Sequence, residues 1–450
     1  MSHKDYIKNL INLQDNTLEI TDVDLVDEDN IKYFNISIVR NKQFLPKCCK
    51  YCGSISIISH GSTSRKIKYL PFANISSNII YTQKRFLCKD CGKTFNDECS
   101  IVCKNGTISN AVKNSILEEF KSKQSSSDIA TKNDVSITTA NDLFIKNTLE
   151  NRKPLSYIIC IDEFKASTIA GEYALIIGDP RTGDIIDILP SRRQDYIYYY
   201  FQKIPDSERF SVKYVVTDLF DSYRTIVRNL FWKSIHIADR FHWIRLATKA
   251  FDNLRINTMK MYKKIADENK NSDYNNYYEI TKKYHKILIA NKYKKEIWYF
   301  DQTVKVTQLK KNMSYQEIIE YIINFDKSLE EGYNLLQDLY KIAKKTPYNE
   351  AEQAILRWCD QVSNSEYKLK EFKSVVLTYK SWIKEITNSF LFDPVTKKRI
   401  TNGFIEGKNN FCKVIKRVGF GYKNFDLFRA IVLYISNNKK AKNNEKKIIK

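Results

Sequence analysis

The chain has 450 residues, with 74 Lys+Arg against 52 Asp+Glu and a formal net charge of +22, an excess that suits a polyanionic partner or reflects heavy Lys, Asn and Ile usage throughout. A 43% hydrophobic share with 29 Tyr and 24 Phe excludes a largely disordered chain, and only 12 Gly and 8 Pro exclude collagen-like or loop-dominated classes. At about 100–200 residues per domain, two to four domains are expected.

Met1 to Asn16 mixes Lys4, Asp5, Lys8 and Asp15 into its apolar residues and lacks the apolar core of a signal peptide. The longest apolar runs, such as Tyr157 to Ile161 and Ile431 to Ile435, fall far short of the roughly 20 residues of a membrane span. A soluble, cytoplasmic protein with no membrane partner is expected. In a reducing compartment its cysteines serve as metal ligands or small buried hydrophobes rather than disulfides.

Seven of the ten cysteines, Cys48, Cys49, Cys52, Cys88, Cys91, Cys99 and Cys103, crowd one N-terminal stretch. Within it, Cys49-Lys50-Tyr51-Cys52-Gly53 and Cys88-Lys89-Asp90-Cys91-Gly92 are two CxxC knuckles, each closed by a glycine that permits the tight turn. Two thiolate pairs complete a tetrahedral Cys₄ site for structural Zn²⁺, and strands over 65–70 and 78–87 make a zinc ribbon over 45–100. Cys48 can replace Cys49 at CxxxC spacing, and Cys99 and Cys103 have no assigned role.

Residues 105–150 read as helices with Ser-rich breaks, and Ser127 to Leu143 fits a helix-turn-helix. Ser127 or Asp128 caps the first helix, Ala130 permits close crossing, Asn133-Asp134 supplies a left-handed turn residue, Val135 packs inward and Ser136 caps the second helix. Thr138, Thr139, Asn141 and Asp142 then lie near the groove-facing side for DNA binding. Asn151 to Pro154 reads as a linker, because Pro154 disfavours helix at Lys153.

From Tyr157 the pattern becomes α/β. Strands are predicted at 157–163, 172–179, 184–189, 212–218 and 234–238, helices at about 192–203 and 221–231, and a hairpin turn at Asp179 to Gly183. Residues 246–395 read as a helical insertion, and the catalytic core is assigned to 155–245 with 396–436. A further helix from about Asn402 carries Phe404, Phe411, Ile415 and Val418 on one apolar stripe. The Lys/Asn-rich end from Asn437 reads as a solvated tail.

The acids carry the chemistry. Asp162 and Asp218 each close an apolar strand run, and adjacent central strands bring them together; Glu163 must face the other way. Their repulsion is relieved by a divalent cation. The third candidate is Glu406, which shares a polar stripe with Asn410, Lys413 and Arg417 at spacings of 4, 3 and 4, an acid followed by bases that suits a metal-bound phosphodiester. Three strands, a helix, a strand with Asp, then an acid on a late helix is the order of a ribonuclease H-like fold.

With its ribbon, helix-turn-helix, Cys160 to Phe164, Val216 to Asp218, Asp239-Arg240-Phe241-His242, Asn402 to Asn410, and the ending Lys416 to Tyr422 with Asn424-Phe425, the sequence resembles bacterial insertion-sequence transposases of the ISL-three type, in the DDE superfamily. The resemblance implies that Asp162, Asp218 and Glu406 are a catalytic triad holding two Mg²⁺ or Mn²⁺ ions. It implies double-stranded DNA partners, namely transposon ends with terminal inverted repeats and a target. It also implies a homodimer or higher oligomer on DNA and a place at the bacterial nucleoid. Asp239 and His242 match the family without a firm role, a strand-end Asp with a packed or capping His being the plain alternative. A catalytically silent DNA-binding repressor and a nuclease for branched DNA or hybrids are the rival functions.

Overall fold

The computed structural model describes residues 3–448 apart from 12, 14, 104, 105, 123, 150–152, 271, 294–301, 419–421 and 423. The proposed linker at 151–152 and the Gly419 to Gly421 stretch therefore lie outside the described residues. The chain divides into two compact units, Met1–Arg152 with Val414–Lys450, and Lys153–Lys413.

In the first unit, α1 (His3–Leu10) precedes a sheet of β1 (Leu18–Glu28), β2 (Ile31–Arg40), β3 (Ile57–Phe72), β4 (Ile75–Cys88) and β5 (Thr94–Asn96), ordered β1-β2-β4-β3 with β5 on β4. Both long hairpins turn on adjacent left-handed residues, Asp29-Asn30 and Ala73-Asn74, the backbone that two-residue hairpin loops require. Sequence periodicity missed the first hairpin altogether and shortened the second. Ile20, Ile38, Ile67, Tyr69, Ile79 and Tyr81 bury its core.

Three helices follow, α2 (Asn110–Lys121), α3 (Ser126–Lys132) and α4 (Ile137–Leu149). Ser125 caps α3, accepting from the Asp128 amide, so the cap sits two residues before the expected Ser127. Asp134 takes the left-handed turn conformation, φ 51°, Val135 is half-buried, and the Ser136 hydroxyl accepts from Thr139 N at 3.0 Å. Glu119 on α2 fixes this turn by accepting from Asn133 Nδ2 at 2.9 Å and pairing with Lys132 at 2.8 Å. The last helix, α17 (Phe425–Ile448), packs on α4 and α2, with Tyr434 edge-on to Phe144. This corrects two expectations: the segment from Asn437 continues a helix rather than forming a tail, and residues 425–436 join the N-terminal unit rather than the core.

The second unit is built on a five-stranded sheet of β6 (Ile158–Thr168), β7 (Gly171–Asp179), β8 (Asp184–Leu189), β9 (Tyr214–Thr217) and β10 (Ile235–Ala238), ordered β10-β9-β6-β7-β8. β6, β7 and β8 are antiparallel neighbours, whereas β9 and β10 run parallel to β6. Ile/Val-rich strands buried on both faces are what a sheet covered by helices demands. One face packs against α5 (Gln194–Gln202) and α7 (Asp221–Leu230) through Ile197, Phe201, Tyr223 and Ile226; α6 (Asp206–Arg209) lies between those helices in the chain. At the β7–β8 turn Gly183 is left-handed, and its amide donates to Asp179 O at 2.8 Å.

The insertion begins earlier than expected, because α8 (Arg240–Asn269) runs unbroken for 30 residues directly from β10. It is followed by α9 (Ser272–Lys283), α10 (His285–Leu288), the hairpin β11 (Thr303–Val306) and β12 (Lys311–Ser314), then α11 (Tyr315–Phe325), α12 (Lys327–Lys345), α13 (Tyr348–Ser363), α14 (Lys373–Ser381) and α15 (Ile383–Asn388). These bury their own core around Trp243, Phe251, Leu336 and Trp358.

α16 (Gly403–Val418) then returns to the sheet. Its Phe404 lies over Gly178, where an added Cβ would stand 2.6 Å from the ring and 3.1 Å from Asp184 O. Gly178→Ala is accordingly expected to cost about 1–3 kcal/mol of stability, from overpacking. Urea unfolding checks this, and Phe404→Leu in the same chain should restore part of the loss.

Candidate functional site

Strand register sets the site. Cys160 pairs with Val216 and Ala238 with Thr217 in the parallel ladders. The ladders extended by one or two residues therefore put Asp162, Asp218 and Asp239 side by side at the ends of β9 and β10, and part-way along β6. Asp162 is not at a strand end as expected, since β6 continues to Thr168. The neighbouring Glu163 turns to the opposite face, where Oε1 meets Arg192 Nη1 at 2.7 Å, as side-chain alternation requires.

His242, one turn into α8, completes the cluster. Its Nδ1 lies 3.1 Å from Asp218 Oδ2 and its Nε2 lies 3.9 Å from Asp239 Oδ2. Asp239 is held in turn by the Asn402 amide, which donates to its Oδ1 at 3.2 Å. Burial, and then the charges of Asp162, Asp239 and Glu163, push the Asp218 carboxyl up to about 8. Burial likewise raises Asp162 and Asp239 and lowers His242. Asp218 Oδ1 is buried with no hydrogen-bond partner among the described residues. Three hard oxygen donors under mutual repulsion, one of them orphaned, fit a divalent cation. Asp218, Asp239 and His242 offer ligand atoms within 4.8 Å of one another.

α16 lays Asn409 against this cluster, its Nδ2 donating to Asp162 Oδ2 at 3.0 Å. Sequence reasoning had singled out Asn410. Buried Ile405 and Cys412 mark the inner face of α16, and at helical spacing that face includes 409. Glu406, one turn before Asn409, is exposed, as are Asn410, Lys413 and Arg417 of the same stripe.

The second candidate site is the four-cysteine cluster. Cys49, Cys52, Cys88 and Cys91 bring their sulfurs within 4.8 Å of one another, with Cys49–Cys91 at 3.7 Å and Cys52–Cys88 at 3.6 Å. Ligands about 2.3 Å from a tetrahedral centre stand about 3.8 Å apart, so the spacing is compatible with structural zinc. Gly53 and Gly92, both left-handed, donate to Cys49 O and Cys88 O. The amides of Cys91 and Asp90 hold the Cys88 thiol below its ordinary range against the effect of desolvation. Cys49, not Cys48, belongs to the cluster, and Cys99 and Cys103 stand outside it.

On α4, Thr138 and Asp142 are exposed, whereas Thr139 is half-buried and Asn141 Oδ1 is buried without a partner among the described residues. Asn141 thus turns its oxygen inward, away from the face expected of it.

An α/β chain with a partly buried carboxylate cluster that could hold a divalent cation and a cysteine cluster compatible with zinc has the make-up of a metal-binding protein. The family model of the ISL-three-type DDE enzymes, described as "Transposase", matches residues 159–432, and the chain belongs to that transposase family. A curated protein from Lactococcus lactis subsp. lactis described as an ATP-dependent protease is 23% identical over 132 residues, 29% of this chain and 38% of that protein. The chain thus matches well under half of that relative's length. Among the described residues no helix is long and apolar enough to cross a membrane.

Proposed function

We propose that this chain is a DNA transposase that binds the terminal inverted repeats of an insertion sequence and catalyses metal-dependent strand cleavage and strand transfer. The observation that carries the reading is the strongly repelled Asp218, its Oδ1 without a hydrogen-bond partner among the described residues, at the end of β9 and level with Asp162 on the neighbouring parallel strand. Family membership supports a transposition enzyme acting on DNA. The strand order β10-β9-β6-β7-β8 supports a ribonuclease H-like core.

In this reading Asp162, Asp218 and Glu406 form the acidic triad for two Mg²⁺ or Mn²⁺ ions. When bound, such ions activate an attacking hydroxyl and stabilise the leaving oxygen in in-line displacement at phosphorus. Asp162 and Asp218 supply the oxygen ligands, Asn409 orients Asp162, and α16 contributes Glu406 as the third acid. The ribbon and the α3–α4 pair engage the transposon ends, with Thr138 outward. Lys413 and Arg417 neutralise phosphates, which makes binding steeply salt-dependent. The protein works as a homodimer or higher oligomer at the bacterial nucleoid, in the cytoplasm.

The test is cleavage and joining of DNA carrying the element's own ends, in Mg²⁺ and in Mn²⁺. Wild type cuts and joins, whereas Asp162→Ala, Asp218→Ala and Glu406→Ala bind the ends without cutting. Tight end-binding by wild type with no cleavage in either metal would replace this reading with a silent repressor, and cleavage without joining would replace it with a plain nuclease.

A further inference from the structure

The DDE reading uses three acids and leaves Asp239 and His242 without a task. Yet both lie at the site, within 4.8 Å of Asp218. We infer that His242 is a nitrogen ligand of the cation held by Asp218, and that Asp239 is the buried carboxylate that orients it. This rests on the proposed DDE reading of the site and deepens it.

The argument starts from the imidazole. Its two nitrogens face two different carboxylates, Nδ1 toward Asp218 Oδ2 at 3.1 Å and Nε2 toward Asp239 Oδ2 at 3.9 Å. A neutral imidazole carries one N–H, so one nitrogen must turn a lone pair toward a carboxylate oxygen. That arrangement is repulsive unless a cation or a proton lies between them, and Asp218, Asp239 and His242 each bring one ligand atom within 4.8 Å of the others, as a shared cation requires. Two ligands about 2.1 Å from one ion at right angles stand about 3.0 Å apart, the separation found between Nδ1 and Asp218 Oδ2.

With Nδ1 on the ion, the N–H falls on Nε2, 3.9 Å from Asp239 Oδ2, a charge contact rather than a hydrogen bond. A carboxylate behind a metal-bound histidine fixes its tautomer and raises its basicity. Asp239 is suited to that place, because it is buried and its other oxygen already accepts the Asn402 amide. The local sequence builds the pair, since Asp239 ends β10 and His242 follows one turn into α8, three residues on. Asp218 Oδ1, buried and without a hydrogen-bond partner among the described residues, can then join Oδ2 as a ligand.

A nitrogen in the set changes the preferred ion. Mg²⁺ takes oxygen almost exclusively, whereas Mn²⁺, although also oxygen-preferring, is a transition metal that accepts an imidazole nitrogen more readily. The full-length, zinc-loaded protein should therefore bind Mn²⁺ more tightly than Mg²⁺.

The experiment is pulsed electron paramagnetic resonance of Mn²⁺ added stoichiometrically to that protein. Wild type should show ¹⁴N modulation from a directly bound imidazole. His242→Gln should lose it while still binding Mn²⁺ more weakly, and Asp239→Asn should keep it with affinity reduced by about 10–100-fold. Bound Mn²⁺ without nitrogen modulation in wild type, with binding still lost in Asp218→Ala, overturns the histidine assignment and leaves the acidic site standing. Unchanged Mn²⁺ binding in Asp218→Ala overturns the acidic site as well.

Discussion

Asp218→Asn should abolish strand cleavage and, at the same time, make the metal-free protein more stable at pH 8. Loss of activity of at least about 10²–10³-fold is the scale for removing one group that stabilises transition-state charge. The stability effect has the opposite sign because the folded protein holds this carboxyl at about 8, against roughly 3.9 in an unfolded chain. Between those values the unfolded state has released a proton that the folded state keeps. Stability therefore falls as pH rises from about 4 to 8, and is recovered as pH is lowered again. Asparagine removes the titration and the repulsion from Asp162 and Asp239, a gain on the order of at least 1 kcal/mol at pH 8. Thermal melts from pH 5 to 9 in chelator check it. Mg²⁺ should raise the wild-type melting temperature at pH 8 and leave the variant unmoved. A variant that melts no higher than wild type, yet still cuts DNA, would separate Asp218 from the site.

Parts of this arrangement were legible before any coordinates, and the reasons are specific. The five strands of the second unit were readable because Ile/Val runs are broken by strong turn signals such as Asp179-Pro180-Arg181-Thr182-Gly183. The meeting of Asp162 with Asp218 followed from two apolar strands ending in acids. Asp239 was visible as an acid after β10, but its level with Asp218 depends on the β9–β10 register, which composition does not encode. Asn409 was passed over because choosing between 409 and 410 requires knowing which face of α16 the sheet covers. The β1–β2 hairpin is hidden for another reason: its first strand carries Glu19, Asp22, Asp24, Asp27 and Glu28 and is exposed along most of its length, and its alternation, Leu18/Ile20 then Val23/Leu25, is short and shifts phase at the irregularity between Ile20 and Asp22. Its one local signal was Asp29-Asn30, a pair that tolerates the left-handed conformation. The segment from Asn437 reads as a tail because a Lys/Asn-rich sequence resembles a solvated end, and nothing in its composition shows that it continues the helix begun by the buried Leu427, Phe428 and Ile431.

Removing the proposed zinc should unfold the ribbon's knuckles without unfolding the sheet beneath them. The cluster around the thiols is small, with only Cys49, Phe86, Cys88 and Phe95 buried and Leu45, Ile57 and Cys91 beside them. The first knuckle lies between η-type turn Lys42–Phe44 and β3 with no regular element of its own. Ordering a loop of that kind costs about 1–2 kcal/mol per residue, more than this small cluster returns, whereas structural zinc contributes about 10–16 kcal/mol in small domains. The second knuckle is better anchored, since Cys88 ends β4 and β5 pairs back on it. The sheet core of Ile38, Ile67, Ile79 and Tyr81 is a separate cluster from the one around the thiols. Cys49→Ser and Cys88→Ser should therefore each release the bound zinc, measured by a colorimetric chelator. Hydrogen exchange should accelerate over residues 45–56 first and at 88–96 less, with β1–β4 still protected. If the ribbon helps to hold the transposon ends, end-binding affinity should fall by about tenfold or more, the weight of one or two lost phosphate contacts at moderate salt. Unaltered exchange at 45–56 after complete removal of zinc would show that the cysteines hold their positions by packing alone.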